Sequence, residues 1–132
     1  MGLWLHPEGA DEPSIMYSYN RHGLFMMELA RTFYGDEMGD AYKKMEYSPE
    51  SNHRPYPIEL IEFWNARCND DIDVLLFHSD WRGDMSPEQC AAVSRCISHL
   101  KIDMQLGGKN ILSEWIKLLD YCAYTHTNLL FE

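Results

Sequence analysis

Among its charged residues this chain is shortest of bases: 11 Lys and Arg stand against 21 Asp and Glu, a net charge of −10 over 132 residues. A surface that grips a phosphate backbone needs clustered cations, and the only basic pair is Lys43-Lys44, so no nucleic-acid partner is expected. Mimicry of nucleic acid by acidic groups is disfavoured too. Asp36 and Glu37, Glu59 and Glu62, and Asp70, Asp71 and Asp73 are scattered where solvated helix faces carry them. Long apolar runs are missing: none approaches the roughly 18 residues of a membrane-crossing helix, so no membrane span is expected. Cys68, Cys90, Cys96 and Cys122 form no Cys-x-x-Cys pair, and Met1–His6 is too short for a signal peptide. It also lacks the hydroxyl residue at position 6 that a myristoylation signal carries. Free thiols in a reducing, cytoplasmic compartment are the expectation. Internal repeats, low-complexity tracts and linkers are absent as well, which leaves residues 1–132 as one domain.

What is present suffices for a core: 45% of the residues are hydrophobic and 13% aromatic. Leu3–His6 and Ile15–Tyr19 read as short strands, the second rich in β-branched and aromatic residues. From Asn20 or Arg21 a helix is expected to Tyr34, with Gly35 at its C-cap and with Leu24, Phe25, Met26, Met27, Leu29, Ala30 and Phe33 burying it on most sides. Asp36–Tyr47 offers Met38, Ala41, Tyr42 and Met45 on one helical face, weakened by Gly35 and Gly39. Ser48–Pro57 holds three prolines and reads as a mobile loop, after which Ile58, Ile61, Trp64 and Cys68 line one side of a helix opened by Pro57. Ile72–Phe77 fits a short helix or a buried strand; the acids before it favour the helix. A last helix is expected over Ile111–Tyr124, after a turn at Gly107-Gly108, with Asn128–Phe131 as a terminal strand able to pair with Leu3–His6. The fold class expected is α+β: a predominantly helical single domain of about four to five helices, with a small sheet made by the N- and C-terminal strands.

The chain turns on the stretch Leu75-Leu76-Phe77-His78-Ser79-Asp80-Trp81-Arg82-Gly83-Asp84-Met85-Ser86-Pro87-Glu88-Gln89-Cys90. Ser86 suits an N-cap, Pro87 the first helical position, and Gln89 completes a capping box. Cys90, Val93, Ile97 and Leu100 then give the helix a buried face, with Glu88, Ser94, Arg95 and Ser98 on the wet side. His78-Ser79-Asp80, Gly83, Ser86-Pro87-Glu88 and Cys90 together resemble the His-Ser-Asp-Cys-Asp-Gly…Ser-Pro-Glu-Glu-Cys signature of a family of small bacterial and phage-associated proteins with no assigned activity. Trp81 and Arg82 stand where that signature has Cys and Asp, so an acidic role at the second position does not carry over.

His78, Ser79 and Asp80 include the residue types of a hydrolase triad, but consecutive side chains diverge, and a second histidine or acid from elsewhere would be needed. The stretch lies partly in register with a calcium-binding loop, with Asp80 third and Gly83 sixth. His78 at the first position, Arg82 at the fifth and Gln89 at the last spoil the anionic ligand set. A transition metal held by His78, Asp80 and a distant histidine stays open, as does an anion at Arg21 and His22, where a helix begins. The ordinary reading is a rigid elbow: Ser79 or Asp80 accepting from backbone, Gly83 at positive φ and His78 holding a carbonyl across the turn. Trp81, Arg82 and Asp84 at the tip are then the candidate partner contacts, since Trp and Arg are enriched in binding hot spots. The function expected is a non-enzymatic cytoplasmic interaction protein of accessory, immunity or anti-defence type, binding a protein partner and holding no cofactor. The alternatives are a small metal- or anion-binding module using Arg21, His22, His78 and Asp80, and a hydrolase.

Overall fold

The computed structural model describes residues 2–9, 14–47, 62–63, 65–66, 70–78 and 82–132. Period-two alternation builds its sheet. In β1 (Gly2–Pro7) Leu3 and Leu5 point inward while Trp4 points out. β2 (Ile15–Ser18) pairs antiparallel with β1, Leu3 opposite Tyr17 and Trp4 opposite Met16. The terminal strand β6 (Leu129–Phe131) lies on the other side of β1, with His6 opposite Leu130, so the two ends of the chain share one sheet as expected. A fourth strand, β3 (Gly83–Met85), pairs antiparallel with β6, giving the order β2-β1-β6-β3. Gly83-Asp84-Met85 has neither alternation nor a β-branched residue, and it is extended because β6 supplies its ladder.

Helices cover the inner face. α1 (Tyr19–Tyr34) starts one to two residues before the expected point because Ser18 is its cap, the hydroxyl accepting from Arg21 N–H at 3.1 Å. It ends at Gly35, φ 109°, whose N–H donates to Arg31 O. One face of α1 is buried rather than most sides: Phe25, Met26, Leu29 and Ala30 face the core, whereas Leu24 is exposed and Met27 and Phe33 are only half-buried. α2 (Asp36–Tyr47) follows directly and buries Met38, Ala41 and Tyr42. Gly39 weakens its propensity but permits the packing: a Cβ there would stand 2.8 Å from Arg31 Cβ of α1.

The helix expected from Pro57 to Cys68, like the loop Ser48–Pro57, falls largely outside the described residues; 62–63 and 65–66 are helical. α3 (Asp73–Leu76) is the short helix expected there, fixed by the Tyr34 hydroxyl donating to Asp73 Oδ1 at 2.8 Å. α4 (Pro87–Ile97) carries the complete capping box, Ser86 Oγ accepting from Gln89 N–H and Gln89 Oε1 from Ser86 N–H. Ser94, expected on its wet side, is buried because α5 (Ile111–Thr125) packs over it and Asp120 accepts its hydroxyl. Between them β4 (Gln105–Leu106) and β5 (Lys109–Asn110) form a hairpin whose turn, Gly107-Gly108, has φ of 57° and 81°. Asn110 caps α5 by accepting from Ser113 N–H at 3.0 Å, and its amide donates to Ile102 O at 2.8 Å.

The inner face of α5 is the one the spacing marked: Ile111, Leu112, Trp115, Leu118, Leu119 and Cys122 are buried. Trp115 lies at the centre of the core, fully buried, with ring centroids 6.3 Å from both Phe25 and Phe131. The result is an α+β domain with five helices among the described residues and a small antiparallel sheet from the N- and C-terminal strands. No helix among the described residues is long and apolar enough to cross a membrane.

Candidate functional site

The central turn works as a brace over the residues that are described. His78 follows α3, stacks on Phe131 at 3.8 Å between centroids and 18° between planes, and its Nε2–H donates to Asp84 O at 2.9 Å. Gly83, φ 120°, lets the backbone pass beneath that ring; a Cβ there would stand 2.9 Å from His78 Cε1. Ser79, Asp80 and Trp81 lie outside the described residues. Arg82 and Asp84 are exposed, Asp84 within β3.

The second candidate group divides. Arg21 is on the exterior, where its guanidinium donates to Gln105 O of the hairpin at 2.8 Å. His22, one residue on, is the opposite of an exposed helix-start residue: it is 3% exposed and accepts from the Tyr17 hydroxyl through Nδ1 at 2.7 Å. Trp115 Nε1–H donates to the same Tyr17 oxygen at 2.9 Å. Indole N–H can only donate, so Trp115 donates to Tyr17; the buried Tyr17 O–H then has His22 Nδ1 as its acceptor in the tautomer that carries the imidazole proton at Nε2. Burial first, and the charge of neighbouring His78 second, push His22 down to about 3. Burial also drives the Tyr17 phenol far above its ordinary range. Both groups are therefore neutral around neutral pH.

This chain of donors is suited to ordering a core rather than to proton transfer. The lone pair of His22 is occupied by Tyr17, and the Nε2–H of His78 by a backbone carbonyl. Neither ring is held as the base of a nucleophile among the described residues. No three His, Cys, Asp or Glu side chains among them are placed to hold a metal ion. An open depression of about 410 Å³ beside the hairpin, lined by Ser98, Lys101, Asp103, Asn110, Ser113 and Ile116, has no such cluster either.

The outer face of the sheet is different. Opposing pairs place Met16, Trp4, His6, Leu130 and Asp84 on that one side, in cross-strand contact positions. Met16 is 68% exposed and Trp4 41%, large apolar side chains on a sheet face that the helices leave to solvent. Trp4 stacks on His6 with centroids 4.0 Å apart, and His6 Nε2 is 3.0 Å from Glu132 Oε2. Asp84 stands beyond Leu130 on β3, and Glu132 lies beside Trp4, its N–H donating to Trp4 O at 2.8 Å. Of the residues the sequence marked for partner contact, Asp84 belongs to this face and Arg82 adjoins it. Trp4, Met16 and His6 were missed as site residues although their signal was present: once Gly2–Pro7 and Ile15–Ser18 are strands, alternation against Leu3, Leu5, Ile15 and Tyr17 puts them on the outer face, where Trp4 and Met16 are exposed and His6 is buried.

The chain matches no family model, no curated protein and no solved structure.

Proposed function

We propose that this is a non-enzymatic, cytoplasmic interaction protein of accessory, immunity or anti-defence type, and that it captures a protein partner on the outer face of its sheet. The observation that carries this reading is the pair of exposed apolar side chains Trp4 and Met16 on that face, with Leu130 beside them and Asp84 and Glu132 at the rim. Apolar anchors ringed by polar groups are the usual make-up of a protein-binding patch. Arg82 and Asp84 extend it along β3. The engaged state of His22 and His78 supports a structural role for both, which weakens the metal, anion and hydrolase alternatives.

The test is affinity capture with immobilised wild-type protein and with the double variant Trp4→Ala, Met16→Glu, each first shown by circular dichroism to be folded. Met16 is largely exposed, but Trp4 is more than half covered and stacks on His6, so the double variant should lose about 1–3 kcal/mol and still be folded at the capture temperature. A partner held by the wild type and lost by the variant is the expected result. Equal retention by both proteins, or retention by neither, overturns the assignment of this face.

A further inference from the structure

The strands β1, β2, β3 and β6 contain no Lys or Arg. The acids on and beside their outer face are Asp84, Glu132 and, past the end of β1, Glu8, whose carboxylate accepts from the Asn128 amide at 3.1 Å. Asp84 gives its backbone oxygen to His78, while its carboxylate has no hydrogen-bond or ion-pair partner among the described residues. Glu132 engages His6 through Oε2 alone, which leaves Oε1 to solvent. Asp84 is paired with Leu130, so Glu132, two residues on, is its diagonal neighbour at about 7–8 Å. Glu132 also stands beside Trp4. One side of the Trp4 indole is stacked on His6; the exposed remainder has Met16 across from it on β2. Arg82, one residue before β3, is a flanking cation, so carboxylates outnumber bases around an exposed aromatic ring.

We propose that the outer face takes a basic segment of a protein partner, with one arginine stacked on Trp4 and donating to Glu132 Oε1, and a second basic side chain paired with Asp84. This names the partner of the docking face proposed above and rests on that reading. A guanidinium suits the site because it lies flat on an indole while its N–H groups reach a carboxylate in the same plane. The whole molecule agrees with the patch: a net charge of −10 draws a basic partner in and speeds encounter. The same charge repels a second copy of this chain, nucleic acid and anionic lipid.

The probes are three acetylated, amidated hexapeptides, of arginine, of lysine and of alternating leucine and threonine. Each is titrated into the nitrogen-15-labelled full chain in about 20 mM sodium chloride, where screening is weak. Amide signals of β1, β3 and β6 and the Trp4 indole N–H report on the face. Two double variants follow, each with its fold read from its own spectrum. Asp84→Asn with Glu132→Gln discharges the face and keeps an acceptor for His6; Asp40→Asn with Glu88→Gln removes the same charge from exposed positions on α2 and α4. The expected result is shifts concentrated on the face and tighter binding of the arginine peptide than of the lysine peptide. The first pair of substitutions should raise Kd about three- to tenfold and the second less than about twofold. Equal weakening by both pairs, shifts spread over the helices, or equal binding of the arginine and lysine peptides overturns the proposal. Shifts on the face with the leucine-threonine peptide but not with the arginine peptide overturn it as well, while the docking face stands. No shift with any of the peptides also overturns the basic partner, the face itself being decided separately by the capture experiment.

Discussion

At the residue scale the decisive group is His22. Its position at a helix start suggested an exposed, anion-facing ring, yet the fold uses it as the acceptor for Tyr17 in a core where Trp115 can only donate. The consequence is a stability that depends on pH. An imidazole in the unfolded chain takes up a proton near its ordinary value of 6.5, whereas His22 in the native core resists until about 3. Between those values the unfolded state binds the extra proton. The contribution of His22 is therefore fully present above 6.5 and is lost as pH falls towards 3, with a slope of at most about 1.4 kcal/mol per pH unit. His22→Gln keeps an acceptor for the Tyr17 hydroxyl but cannot titrate. Urea midpoints at about pH 7 and about pH 5.5 should differ less in this variant than in the wild type, because these conditions bracket the ordinary imidazole range. An identical loss in both proteins would place the protonation elsewhere.

At the element scale, caps decide where helices begin, and two of them differ in what they hold. Ser86 closes a capping box at the exposed start of α4, whereas Asn110 both caps α5 and ties Ile102 to the hairpin through its amide. Ser86→Ala should cost about 1 kcal/mol, read as a lowered denaturant midpoint with an unchanged slope. Asn110→Ala should cost about twice that, since it also leaves Ile102 O without its donor. The first cap was legible because Ser-Pro-x-Gln is a local signal; so were the faces of α4 and α5, the C-cap at Gly35 and the turn at Gly107-Gly108. What local pattern could not supply was context. β3 exists only because β6 lies beside it, Ser94 is buried only because Asp120 of α5 faces it, and the outer position of Trp4 follows only once a strand is assigned.

At the scale of the whole molecule, the net charge of −10 acts on stability as well as on partners. The ion pairs among the described residues are few and mostly at the surface: Arg31 with Glu28 and Asp36, Lys109 and Lys117 with Glu114, His6 with Glu132. Exposed pairs of this kind contribute about 0–1 kcal/mol each, so screening them takes little from the folded state. Repulsion among the excess acids is longer in range and is spread over the molecule. Salt shortens that range to about 10 Å at 0.1 M. Relief of repulsion therefore outweighs loss of attraction, and the native state, being more compact than the unfolded chain, gains the difference. The melting temperature at neutral pH should rise by about 4 °C between about 10 mM and 200 mM sodium chloride, which corresponds to about 1 kcal/mol for a domain of this size. A fall with added salt would mean that the favourable pairs, not the surplus of carboxylates, govern the balance.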